Sequence, residues 1–436
     1  MQQRQARPRL IQAMVDAFRL PDLRRRILLT IGILAVFRFV AHVPLPGVDP
    51  EALQLLFDRN AMLGMLDMFS GGAMRYFSVA AMGVYPYITA SIIMMLLVPV
   101  IPRLQAISRE GETGRNKINR ITHWLTVPMA ALAGYGQLVL LQREGAVSST
   151  TVLSTVAIVL SLTAGTMFCV WLGELITEYG IGNGISIIIF GGIVAGLPEM
   201  VGRGFLAQEN FGGLAVYILI ALATTVLIVI FTEAHRRIPV QYARSVFRGG
   251  RMYKQSGSTH VPLRVNTAGM IPLIFAMSIV IFPSMIASYF ANPAEPNIAN
   301  SIMNLFDPSA ALPMGLFYWG LYFLLVVAFT FFYTMVVFQQ QDLPGTLQRQ
   351  GGFIPGVRPG RLTANYLNQV IKRLTWGGAF FLAVVAIMPF LMREITNVQV
   401  IQLSSMGMLI VVGVVLDTMK QLEAQLVMRR YEGFIK

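Results

Sequence analysis

The chain is poor in the residues on which most enzyme chemistry rests. A single cysteine, Cys169, occurs in 436 residues and sits in an apolar run, so neither a disulfide framework nor a zinc ribbon can be built. Four histidines, none spaced as an HxxH or HExxH pair, offer no basis for a catalytic metal site. No GxxxxGK string followed by Ser or Thr is present, which excludes a phosphate loop of that type. Charged residues make up 13% of the chain, against roughly 25% in an ordinary soluble domain. Together with 55% hydrophobic residues, that scarcity excludes both a water-soluble globular protein and a disordered one. Acidic residues are the scarcer sign: 21 Asp and Glu against 34 Lys and Arg give a formal net charge of +13.

What the chain does have is apolar sequence in long runs. Ten windows stand out, at about 27–43, 77–100, 121–142, 152–177, 185–201, 214–233, 268–290, 314–338, 374–392 and 401–419. Each approaches the ~20 residues that a helix needs to cross a hydrocarbon core. Runs such as Leu324 to Phe338 show no period-two alternation, which excludes a membrane barrel. The first window follows arginines as a signal peptide would, but it lacks a small-residue cleavage site and nine windows follow it. The expectation is an all-α polytopic membrane protein with ten transmembrane helices and an uncleaved first helix.

Orientation follows from the basic residues. The N-terminal segment, the connections after the second, sixth and eighth windows, and the tail together hold 28 of the 34 Lys and Arg. All of these lie on one side of an even-numbered topology, so the positive-inside rule puts both termini in the cytoplasm. The opposite side, at Pro44–Asn60 and Phe290–Ala311, is thinly charged and rich in turn residues. The halves 1–205 and 206–436 hold five windows each, and an odd number makes any repeat inverted in the membrane.

Four features could carry function. The segment Ala61–Ser78 is too short and too interrupted by Gly71-Gly72 to span. It suits either an interfacial helix on the external face or a re-entrant segment seated among the other helices. Ionisable groups inside spans are Arg38, Glu174 and Asp417, with Glu178, Glu233 and His235 near helix ends. Their scarcity counts against a proton-coupled secondary solute transporter, which remains the alternative from another class. The glycines of Tyr179–Ser186 read as a tight turn between two helices. Finally, the connections 235–264 and 339–373 are far longer than the 2–8 residues that helices need. Arginine outnumbers lysine 29 to 5, and its planar fork suits phosphate and carboxylate partners. Topogenic charge explains the basic character alone, whereas docking of a large acidic or RNA-containing partner explains both charge and length.

Four long strings then carry a resemblance. MFSGGAMRYFSVAAMGVYPYITASIIMMLL, GTMFCVWLGELITEYGIGNGISIIIFGGIVAGLP, STHVPLRVNTAGMIPLIFA and GGFIPGVRPGRLTANYL are similar to the SecY family of protein-conducting channels. The resemblance implies two inverted five-helix halves closing around an hourglass pore with a lateral gate. It implies an aliphatic pore ring of Val84, Ile88, Ile185, Ile189, Ile274 and Ile410, with Val84 in a place where isoleucine is usual. It makes about 61–76 a re-entrant plug, including Met62, Met65, Leu66, Met68, Phe69 and Met74, whose methionines suit weak, adaptable packing. Arg236, Arg237, Arg244, Arg248, Arg251, Arg264 and above all Arg358 become candidate contacts to the ribosome, through its RNA and proteins, or to the SecA motor ATPase. Further implied partners are SecE-like and SecG-like small membrane subunits, signal peptides and nascent chains, and membrane lipids. The implied site is the cytoplasmic membrane, with no cofactor and no enzymatic activity.

Overall fold

A computed structural model describes residues 18, 20–59, 67, 70–108, 110–143, 145–147, 151–206, 211–248, 251–290, 297–307, 310, 314–341, 343–396 and 405–432. The helices are α1 Pro21–Val40, α2 Pro50–Arg59, α3 Tyr85–Val100, α4 Pro102–Ser108, α5 Glu112–Arg143, α6 Val152–Tyr179 and α7 Gly184–Leu206. They continue as α8 Phe211–Glu233, α9 Ile271–Phe290, α10 Ile298–Leu305, α11 Met314–Gln341, α12 Leu343–Arg349, α13 Arg361–Thr396 and α14 Ser405–Glu432. Three strands, β1 His235–Arg248, β2 Arg251–Arg264 and β3 Gly352–Phe353, form one sheet. Each of the ten apolar windows is centred on a helix: α1, α3, α5 to α9, α11, α13 and α14.

Among the described residues, four stretches are long and apolar enough to cross a membrane unaided: Glu112–Gln142, Val152–Tyr179, Met314–Arg349 and Arg361–Met392. A fifth is added if α3 and α4, bent by 102° at their junction, count as one. The bend has a local cause. Pro102 disfavours helical geometry at Ile101, which is extended. Helix starts follow the usual chemistry as well. Pro21 occupies the first turn of α1, Thr151 caps α6 by accepting from the Ser154 amide, and the Asn183 Oδ1 accepts from the Ser186 amide at 3.1 Å to open α7.

The chain divides into two compact units. The first comprises Met1–Glu209, Ile281–Gly315 and Gln399–Lys436. Within it α3 packs on α5, α5 on α6, α6 on α7 and α1, and α14 on α7. Glycines allow the closest approaches: a Cβ at Gly165 would lie 1.9 Å from the Val79 carbonyl oxygen, and one at Gly184 would lie 1.7 Å from that of Gly173. The Tyr179–Ser186 segment is indeed a tight turn, with Gly182 at φ +84° and the Ile181 amide donating to Thr30 Oγ1 at 3.3 Å.

The second unit comprises Asn210–Val280 and Leu316–Val398. Helix α8 packs on α13, with the Phe231 and Phe381 rings stacked 3.9 Å apart. Here the sequence reading is extended: the all-α description holds for the membrane-spanning part, but 235–264 is a hairpin of two 14-residue antiparallel strands. Its base and the 343–354 segment share one apolar core, in which Ile238, Val240, Leu263, Phe338, Leu347, Ile354, Leu367, Val370 and Ile371 are buried. The two long connections, separate in sequence, thus form a single body.

Candidate functional site

The expected second span begins later than its apolar window. Residues 77–84 are turns, with Phe77 at φ 40° and Gly83 at φ 52°, and the helix starts at Tyr85. This irregular backbone runs on from Gly71 and bonds to itself, the Ser78 amide donating to the Ala73 carbonyl at 3.1 Å and the Ala81 amide to that of Ser78 at 2.9 Å. The Asp67 carboxylate is its hub. Oδ1 accepts from the Ser70 hydroxyl at 3.2 Å, the Met74 amide at 3.1 Å and the Arg75 amide at 3.3 Å, and Oδ2 faces Arg75 Nε at 2.8 Å. Beyond the hub, the Leu45 amide donates to the Phe77 carbonyl at 3.1 Å and the Val79 amide to that of Val43 at 3.0 Å. These bonds tie the segment to the exit of α1.

Met74, a plug candidate, is buried, and its amide is held by both Asp67 and Ser70. The other plug candidates, Met62, Met65, Leu66, Met68 and Phe69, lie outside the described residues.

Five ring candidates belong to the first unit. Val84 caps α3 and is fully buried, and Ile88, one turn on, donates its amide to the Val84 carbonyl at 3.1 Å. Ile185 and Ile189 lie on α7 and Ile410 on α14, two helices that pack on one another. Ile189 and Ile410 are buried and Ile185 is half-buried. Ile274 is in the second unit, buried on α9.

The basic candidates distribute over the hairpin and the turn before α13. Arg236 and Arg237 open β1, Arg264 closes β2, and all three are exposed. Arg244 stands opposite Gln255, and Arg248 opposite Arg251. On β1, buried Ile238 and Val240 alternate with exposed Arg237 and Pro239, a period-two signal that was readable beneath the charge. Arg358 is exposed between Gly356 at φ +82° and Gly360 at φ +100°, and its carbonyl accepts from Thr363 Oγ1 at 3.0 Å. Its predecessor Val357 packs against the shared core.

Sequence reasoning flagged Arg38 and Glu174 without finding their partners. Arg38 donates to the Gly71 carbonyl. Glu174 Oε1 accepts from Asn119 Nδ2 at 3.2 Å and lies 3.1 Å from His123 Nε2, while the Tyr87 hydroxyl donates to Asn119 Oδ1 at 3.2 Å. Asn119, His123 and Tyr87 went unnoticed because each is an ordinary helix residue until α3, α5 and α6 bring them together.

Comparison with known proteins agrees along the chain. The SecY family model matches residues 78–419. The protein translocase subunit SecY of Halalkalibacterium halodurans is 42% identical over 440 residues, covering 98% of this chain and 100% of the relative. That of Thermotoga maritima is 43% identical, covering 98% of each. Among solved structures, one described as the structure of a protein conducting channel matches with TM-score 0.63 at 15% identity, covering 95% of this chain and 97% of the other. Sec61 in the canine ribosome-channel complex from the endoplasmic reticulum matches with TM-score 0.61 at 14% identity, with the same coverage. At such identities the structures speak for the fold, and the relatives speak for the lineage. This chain belongs to the SecY family.

Proposed function

We infer that this protein translocase subunit forms the polypeptide-conducting channel of its complex and catalyses no reaction. Unfolded chains cross the membrane through it, and apolar segments leave sideways into lipid. The observation that carries the reading is the irregular segment Gly71–Val84, braced by the Asp67 carboxylate and leading directly into buried Val84 and Ile88. A backbone of that kind inside a helical protein is a built structure, suited to a plug beside a constriction.

Val84, Ile88, Ile185, Ile189, Ile274 and Ile410 supply the ring of the constriction. Aliphatic side chains offer a translocating chain no hydrogen bonds, so no sequence is held, and an empty apolar neck excludes ions by dewetting. A secondary solute transporter would instead need polar groups at these positions.

The body formed by the hairpin and the Arg358 turn is the docking platform. Arg236, Arg237, Arg244, Arg248, Arg251 and Arg264 meet ribosomal RNA phosphates or the acidic surface of a SecA motor, and Arg358 couples that docking to movement. The work comes from protein synthesis, from ATP hydrolysis by the motor or from the proton-motive force. SecE-like and SecG-like subunits complete the complex in the cytoplasmic membrane, with both termini cytoplasmic as the one-sided arginines indicate.

The test is reconstitution of the chain with its small membrane subunits in vesicles. The channel reading expects a secretory precursor to become protease-protected only when motor and ATP are supplied. Uptake of a small solute without any partner, and no precursor protection, would favour the transporter instead.

A further inference from the structure

We propose that Arg38 is the pin that holds the re-entrant segment in its seated position, acting through the Gly71 carbonyl against a glycine face of α7. The inference rests on reading that segment as the movable seal of the channel, and it adds the residue that sets how firmly the seal rests.

An arginine inside an apolar helix is costly and calls for a specific partner. Here the partner is a main-chain oxygen 33 positions away in sequence. Gly71 sits in a slot that only glycine fits. Its φ is +69°, and a Cβ would come within 2.6 Å of the Gly192 Cα and 3.4 Å of the buried Phe37 ring. The fit is mutual, since a Cβ on Gly192 would come within 2.5 Å of the Gly71 Cα. Next to it, a Cβ on Gly191 would meet Leu34 of α1 at 2.8 Å. Helices α1 and α7 therefore both hold this residue, α1 through Phe37 and Arg38 and α7 through Gly192.

The Asp67 carboxylate also holds Ser70, Met74 and Arg75, so displacement of Gly71 pulls on that hub and strains the grip. The charged donor is the part of the grip that one substitution removes without changing volume greatly. A hydrogen bond from a charged donor shifts the ratio of seated to displaced segment by roughly tenfold or more.

The test uses the complete complex in lipid vesicles and two readouts. Hydrogen exchange of the amides of residues 71–78 reports seating directly, and ion leak in the absence of any precursor reports sealing. Arg38→Met keeps the aliphatic stem and removes the donor, Arg38→Lys restores a donor, and Gly192→Ala displaces Gly71 without touching charge. Exchange is expected to rise about tenfold in Arg38→Met and in Gly192→Ala, with Arg38→Lys between them and wild type, and leak is expected to rise in parallel. Faster exchange with no added leak would keep the pin and remove the sealing role. Unchanged exchange in Arg38→Met would overturn the proposal. Should Arg38→Met fail to assemble, unchanged exchange in Gly192→Ala would overturn it equally.

Discussion

Replacement of Gly165 by alanine tests the packing argument at its tightest point. The new methyl would lie 1.9 Å from the Val79 carbonyl oxygen, 2.7 Å from its carbon and 2.9 Å from Val79 Cγ1. Two of these three atoms are backbone, so no rotamer change relieves the overlap, and the chain entering Val84 must move by more than 1 Å, on the order of the difference from an ordinary contact. Overpacking of this kind costs about 1–3 kcal/mol, and an obstacle made of main chain places it at the upper half of that range. Gly32→Ala is the matched control, because a Cβ there meets nothing within 4 Å. It gains the helix preference of alanine, up to about 1 kcal/mol. The two substitutions, chemically identical, are expected to move stability in opposite directions. Cys169 provides the assay: it is fully buried, one helical turn from Gly165, and unique in the chain. A maleimide dye should label it only on unfolding. A loss of ~2 kcal/mol multiplies the unfolding equilibrium constant about thirtyfold and so moves the labelling midpoint. Equal labelling midpoints for Gly165→Ala and wild type would refute the reasoning, as would Gly32→Ala melting first.

Three further outcomes follow from the same geometry. Asp67→Ala removes the acceptor of the Arg75 amide, while Met74 keeps Ser70 Oγ, so hydrogen exchange over residues 70–78 should speed by on the order of 10–100-fold, whereas Asp67→Asn should change it less than tenfold. On the platform, Ile238→Ala should cost about 2–5 kcal/mol of local stability and expose the hairpin to protease. Arg237→Ala should leave the fold intact and reduce the salt dependence of ribosome binding by roughly one phosphate contact.

Much of the fold was legible because the membrane imposes one dominant rule. Apolar windows of sufficient length must be helices, and all ten were found there. The start of α3 was misplaced because hydropathy is blind to backbone. The window 77–100 is uniformly apolar, yet Phe77 and Gly83 at positive φ keep its first eight residues out of the helix. The hairpin was hidden for the opposite reason: its arginines drew attention to charge, while the alternation of Ile238 and Val240 with Arg237 and Pro239 carried the strand signal. The grip on Gly71 and the Glu174 group join residues far apart in sequence, so no local pattern could disclose them. Arg38 could be singled out as an anomaly in an apolar helix, but not explained.

The most direct test of the central claim places a photo-crosslinker at Ile88 and stalls a secretory precursor halfway through export in vesicles carrying the full complex. A matched probe at Leu219, an exposed position on α8, serves as the control. The account predicts an adduct at Ile88 only with the stalled chain and an active motor or ribosome, and none at Leu219. No adduct at Ile88, while a probe at Arg358 still captures ribosome or motor, would preserve docking and contradict the channel assignment.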